Sequence, residues 1–134
     1  MKFVRFHFAL LAGLVLFSTL LFLGCESAPF VPSVDSSHCE VYLCETFDHD
    51  LVNIFANRTQ VFSEPITTKS GTNLARVTTV PATETPITLR IEVPGRHAKL
   101  VQTIDPKRGR YLMVSMDRGY QLSLTQRVDQ PALD

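Results

Sequence analysis

From Thr85 to Gln126 the side chains alternate between apolar and polar in four short runs, with a turn signal between each run and the next. Ile87, Leu89, Ile91 and Val93 alternate with Thr88, Arg90 and Glu92, the period of two that buries one face of a strand and wets the other. Val93-Pro94-Gly95-Arg96 follows, and the spacing predicts a type II turn with proline presetting φ and Gly95 at positive φ. Ala98 to Ile104 is the expected return strand, and Asp105-Pro106-Lys107-Arg108-Gly109 the second turn. Tyr111 to Met116 alternates again, Asp117-Arg118-Gly119 turns with glycine at the left-handed position, and Tyr120, Leu122 and Leu124 share the last face. The pattern predicts an antiparallel meander of four strands.

A meander of this size buries too little apolar surface to offset the conformational entropy of ordering it, so a second layer is required. Upstream segments supply it. Leu51 to Ala56 and Thr59 to Ser63 read as two strands around Asn57-Arg58. A short helix capped by Asp48 is the alternative over residues 48–58, since Leu51, Val52 and Phe55 share a helical face. Leu74 to Val80 reads as another strand before Pro81 to Pro86. The expected architecture is all-β, a small antiparallel sandwich of seven or so strands. In strand count and size it is similar to transthyretin-like or immunoglobulin-like domains, a likeness that carries no function.

The front of the chain has a different character. Lys2 and Arg5 precede an apolar run from Phe8 to Leu23 that only Ser18 and Thr19 interrupt, the charged and hydrophobic regions of a signal peptide. Leu21-Phe22-Leu23-Gly24-Cys25 closes it and resembles the lipobox of bacterial lipoproteins, departing at Phe22 and Leu23, where smaller residues are usual. The resemblance implies a diacylglyceryl thioether on Cys25, usually joined by an N-acyl chain. Glu26 rather than aspartate after the cysteine implies delivery to the outer membrane under the enterobacterial sorting rule. The expected organisation is a signal peptide over 1–24, a lipid-anchored linker over 25–38, a sandwich over 39–127 and a C-terminal tail over 128–134. Pro29, Pro32 and four serines between Ser27 and Ser37 give the linker a tether's composition.

With Cys25 lipidated, Cys39 and Cys44 are left in an oxidising compartment, where a disulfide is the first expectation. A strand would hold them about 16 Å apart and a bridge needs Cα atoms within about 7 Å, so bridging demands a loop over Glu40 to Leu43. Free or intermolecular thiols are the alternative. A metal site is a weaker reading of His38, Cys39, Cys44 and His49, whose spacing matches no strong zinc pattern. Asp48-His49-Asp50 reads as a solvated turn with unpaired charges.

Charge is segregated along the chain. Residues 26–64 hold seven acids against Arg58 alone, and residues 65–134 hold ten bases against six acids, which predicts a dipolar domain. Basic residues interleaved with aromatics are missing, as is tryptophan, which argues against nucleic-acid binding. No G-x-S-x-G, phosphate-cradling glycine loop, H-E-x-x-H or S-x-x-K occurs, and His97 reads as a surface residue. No cofactor or small-molecule substrate is inferred. The expectation is a non-catalytic structural or accessory lipoprotein of the envelope, docking to another envelope protein or assembly. An inhibitor of a cell-wall-acting enzyme is the alternative: Tyr42-Leu43-Cys44-Glu45 and Ser70-Gly71 resemble elements of lipoprotein lysozyme inhibitors, which usually carry a tryptophan-bearing motif that this chain lacks. Lys107, Arg108 and Arg110 form a basic hairpin tip and are the candidate contacts for an acidic partner or anionic headgroups.

Overall fold

The computed structural model describes residues 36–133. The segments expected to be signal peptide and most of the linker, Cys25 included, lie outside the described residues, as does Asp134. Eight strands follow in order: β1 (His38–Cys44), β2 (Asp50–Ala56), β3 (Thr59–Ile66), β4 (Leu74–Pro81), β5 (Ile87–Val93), β6 (Ala98–Ile104), β7 (Tyr111–Met116) and β8 (Leu122–Arg127). They form two four-stranded sheets, β4-β1-β7-β8 and β3-β2-β5-β6. The chain is therefore the all-β sandwich that the alternation predicts, and β2 settles residues 50–56 as strand rather than helix. In immunoglobulin sheets the first strand pairs with the second. Here β1 and β2 lie in different sheets, so the strand pairing is not the immunoglobulin one.

The four downstream strands are where they were expected, but they are not one meander. β5 and β6 pair in one sheet, and β7 and β8 pair in the other. Period-two patterning fixes which face of a strand is buried and is silent about its neighbour, so the error lay in assuming that successive strands pair. At the crossing between sheets, Asp105 Oδ1 accepts from the Lys107 amide at 3.1 Å and Pro106 is buried in a 3-10 turn. β7 then enters alongside β1 in parallel, Glu40 opposite Tyr111 through Cys44 opposite Ser115. The sandwich is thus antiparallel except for this central pair.

The inward residues are those of the alternation: Cys39, Val41 and Leu43 from β1, Val52 and Ile54 from β2, Ile87 to Val93 at every second position from β5, and Leu112, Val114 and Met116 from β7. Leu122 and Leu124 of β8 pack against them. Two bulges adjust the edges. Ile54 pairs with Phe62 and Phe55 with Gln60, leaving Val61 as the extra residue, and Ala75 is skipped in the same way between Arg76 and Leu74. A bulge lets a strand bend toward the opposite sheet without losing its inward set, and both skipped residues pack against the core.

Turn chemistry departs from expectation at two hairpins. Pro94–Arg96 is a 3-10 turn, and the left-handed residue is His97 (φ 54) rather than Gly95. Between β7 and β8 it is Tyr120 (φ 61) rather than Gly119, so β8 begins at Leu122. Asn57 (φ 47) and Arg58 (φ 76) both have positive φ, the two-residue turn whose twist matches paired strands. Asn57 suits the first position because its Oδ1 also accepts from the Thr88 amide at 2.8 Å, tying the turn to β5.

Gly109 (φ 143) is the glycine whose identity matters most. A Cβ there would lie 2.2 Å from the Arg127 carbonyl oxygen. Gln126 Nε2 donates to the carbonyls of Asp105 (2.6 Å) and Gly109 (2.7 Å), so the crossing turn is clamped onto β8 and has no room to retreat. Gly109→Ala is expected to cost about 3 kcal/mol through backbone strain and steric conflict, measured by urea unfolding. Gly95→Ala, with open space around the added methyl, serves as the silent control.

Candidate functional site

Strand directions divide the turns between two ends. Residues 45–49, 67–73, 94–97 and 117–121 lie at one end. Residues 57–58, 82–86 and 105–110 lie at the other, where β1 begins at His38 and β8 finishes at Arg127.

At the first end an ion pair between a buried carboxylate and a partly exposed guanidinium ties the loops together. Asp50 opens β2 with 7% of its surface exposed. Its Oδ1 accepts from Arg96 Nε at 2.6 Å and its Oδ2 from the Asp48 amide at 2.9 Å. The Arg96 guanidinium lies over the Tyr120 ring, 4.7 Å from its centroid, and Nη1 donates to the Tyr120 hydroxyl at 3.2 Å. Asp50 reinforces the positive charge of Arg96, chiefly by accepting this hydrogen bond, and raises its pKa. Three connections meet in one latch. Thr46 Oγ1 donates to the Met116 carbonyl, while Phe47 and His49 donate their amides to Thr68 Oγ1 (3.0 Å) and Thr67 Oγ1 (2.9 Å), which brings in the fourth.

This overturns the reading of Asp48-His49-Asp50 as a turn of unpaired charges. Asp48 and His49 are exposed but pair with each other at 2.7 Å, and Asp50 is buried and paired. The strand order also brings parts of the acidic and basic segments together. Asp50 meets Arg96, and Glu64 meets Arg76 at 3.2 Å. Sequence reasoning missed the latch because its carboxylate and guanidinium are 46 positions apart and neither stands in a recognisable pattern. The arrangement holds loops rigid.

The cysteines are not bridged. Both are free and buried, because β1 runs straight through them: Cys39 points into the core and Cys44, an odd number of residues on, points to the other face of the sheet. The expected loop over Glu40 to Leu43 does not form because β4 and β7 pair with those residues on both sides. Burial pushes both thiols up, offset in part at Cys39 by Arg110 and reinforced at Cys44 by Glu45. The metal reading fares no better. Among the described residues no three metal-ligating side chains assemble, and His38 and His49 flank opposite ends of the sandwich.

Beside Cys44 on that outer face, Tyr42 is 2% exposed. Its hydroxyl donates to Glu40 Oε2 at 2.6 Å and accepts from Gln130 Nε2 at 3.1 Å, so the segment after β8 is bonded to the sheet. Burial, then the Glu40 hydrogen bond, pushes the phenol up to about 12. Of the residues that carry the likeness to lysozyme inhibitors, Tyr42, Leu43 and Cys44 are buried in the sheet, while Glu45, Ser70 and Gly71 are exposed.

The predicted basic tip is divided by the structure. Lys107 and Arg108 are exposed on the 3-10 turn. Arg110 is not part of the tip: it is half-buried, and its Nη1 donates to the carbonyls of His38 (3.1 Å) and Ala82 (3.2 Å). Its own carbonyl accepts from the Glu40 amide at 2.8 Å. The residue fastens the start of β1 to the turn after β4. His97 is exposed, as expected.

No protein-family model matches the sequence, and no curated protein matches it.

Two measurements check these assignments. Without reductant, Cys39 and Cys44 should resist maleimide in the native protein and both react after denaturation, whereas a disulfide would leave both unlabelled in either state. Arg96→Met should lower the melting temperature and speed amide exchange in residues 45–49 and 117–121, because it strands a buried carboxylate. Lys99→Met removes an exposed pair with Glu92 (3.4 Å) and should leave the melting temperature unchanged.

Proposed function

We propose that this chain is a lipid-anchored protein of the bacterial envelope, held to the outer membrane through Cys25. Its sandwich acts as a non-catalytic docking module for another envelope protein or assembly. The observation that carries the reading is Gly24-Cys25 at the close of a charged-then-apolar leader, followed by a proline- and serine-rich run up to the first strand. Two or three acyl chains on such a cysteine make an effectively permanent anchor, since each buried methylene contributes about 0.8 kcal/mol.

The domain's construction supports the docking role. Several charged side chains join loops, as in Asp50–Arg96, or fasten strands, as in Arg110. That makes a rigid body whose four-loop end can meet a partner with little ordering cost. Intact mass of the membrane-extracted protein should show an acyl adduct on a chain that starts at Cys25. Cys25→Ala should yield an unprocessed chain without the adduct, and an unmodified wild-type mass would refute the anchor. Affinity capture from detergent-solubilised membranes should then recover a stable multiprotein complex. Recovery of a single cell-wall hydrolase would favour the inhibitor reading instead.

A further inference from the structure

We propose that the end of the sandwich carrying Lys107, Arg108 and Val128 is a lipid-contacting face that rests on anionic phospholipid headgroups and turns the four-loop end away from the membrane. The inference rests on the lipid-anchor reading and adds to it an orientation and a ligand chemistry.

Three observations converge on this end. The first is connectivity: the chain enters β1 at His38, and Arg110, directly after the basic turn, binds the His38 carbonyl at 3.1 Å. The point where the sandwich is tethered and the basic turn are therefore fastened together. The second is presentation. Pro106 is buried, Asp105 Oδ1 and the Asp105 carbonyl accept from the Lys107 and Arg108 amides, and Gln126 clamps the turn from behind. Lys107 and Arg108 are thus held outward on a rigid turn.

The third is the adjacent apolar group. Val128 is 73% exposed, the most exposed large hydrophobic among the described residues. It shares with Lys107, Arg110, Tyr111, Asp129 and Gln130 a cleft of about 420 Å³. Lys107 in the cleft and Arg108 beside it, set against one carboxylate, Asp129, adjoin an exposed aliphatic residue and a tyrosine, as at an interfacial surface whose charges meet headgroups and whose apolar atoms meet the acyl boundary.

Magnitudes favour this face over the opposite end. A coil the length of residues 26–37 has a root-mean-square span of about 20 Å, and a seven-residue strand adds about 23 Å beyond it. Attraction to an anionic surface is screened over about 8 Å, so the tethered end samples it far more often than the four-loop end. Each base near such a surface contributes enough that two together shift the docked equilibrium about 30-fold.

The experiment uses the full lipidated chain in vesicles of phosphatidylcholine alone and of phosphatidylcholine with phosphatidylglycerol, read by amide hydrogen exchange. Exchange at residues 105–110 and 127–130 should slow in the anionic vesicles by up to about 30-fold, reverting at high salt, while residues 117–121 are unchanged. The double substitution K107Q/R108Q should abolish the slowing without altering the melting temperature. Equal exchange in both vesicles, slowing that survives the substitution, or slowing at 117–121 would overturn the proposal. So would the absence of any lipid effect together with loss of a captured membrane protein in K107Q/R108Q, which would assign the bases to an acidic protein. A chain that proves unlipidated by mass refutes the anchor alone, and its flotation with anionic but not neutral vesicles still reads the headgroup contact.

Discussion

Everything in this sandwich leans on β1. It is the strand with neighbours on both sides that are distant in sequence, β4 antiparallel and β7 parallel, and Val41, Tyr42, Leu43 and Cys44 are buried in succession. A strand covered on both faces has no wet side, so its sequence loses the alternation and becomes a continuous apolar run. β1 also joins the first and last parts of the described chain, which makes it the contact with the largest loop-closure cost and the one that makes the fold cooperative. Arg110 and Gln126 reinforce the same junction from its lower end, the first by bonding to carbonyls at the start of β1 and after β4, the second by holding the crossing turn to β8.

That position explains what the sequence revealed and what it concealed. β5 to β8 were legible because each has one buried and one open face, so the period of two survives. β1 was read through its cysteines instead, and two cysteines five apart in an oxidising compartment suggested a loop. The decisive fact, that β4 and β7 bracket this segment, is a long-range pairing with no local trace. The turns show the same limit on a smaller scale. Gly95 and Gly119 are the residues that most readily adopt positive φ, yet His97 and Tyr120 adopt it, because the neighbouring Pro94–Arg96 turn and the Asp117 side chain fix the backbone first.

Site residues were less legible than fold, for a related reason. Asp50 opens β2, Arg96 lies on the turn after its sheet neighbour β5 and Tyr120 on a turn of the other sheet, so long-range strand pairing and sheet stacking together assemble the latch. Arg110 was grouped with Lys107 and Arg108 by adjacency, although a strand start alternates sides: Gly109 is pressed against Arg127, and Arg110 then reaches back to β1. Three consecutive-looking bases thus divide into two exposed charges and one structural fastener. Segregation of charge along the chain likewise says little about segregation in space once strand order interleaves the halves.

The two ends are stabilised by different physics, and the difference bears on how such a domain divides its tasks. At the four-loop end the backbone is forced into left-handed conformations at Glu45, Thr46, His49, Asn73, His97 and Tyr120, and the strain is held by the Asp50–Arg96 pair and threonine hydroxyls. Such a surface is rigid, and it can be varied residue by residue outside the latch without touching the core. At the opposite end the Asn57-Arg58 hairpin, the buried Pro106 and the Gly109 contact pack the turns closely. Load applied at the start of β1 would enter in the middle of a sheet and be shared at once with β4 and β7 through shear-loaded hydrogen bonds rather than peeled from an edge. A domain built this way resists being pulled open from the start of β1.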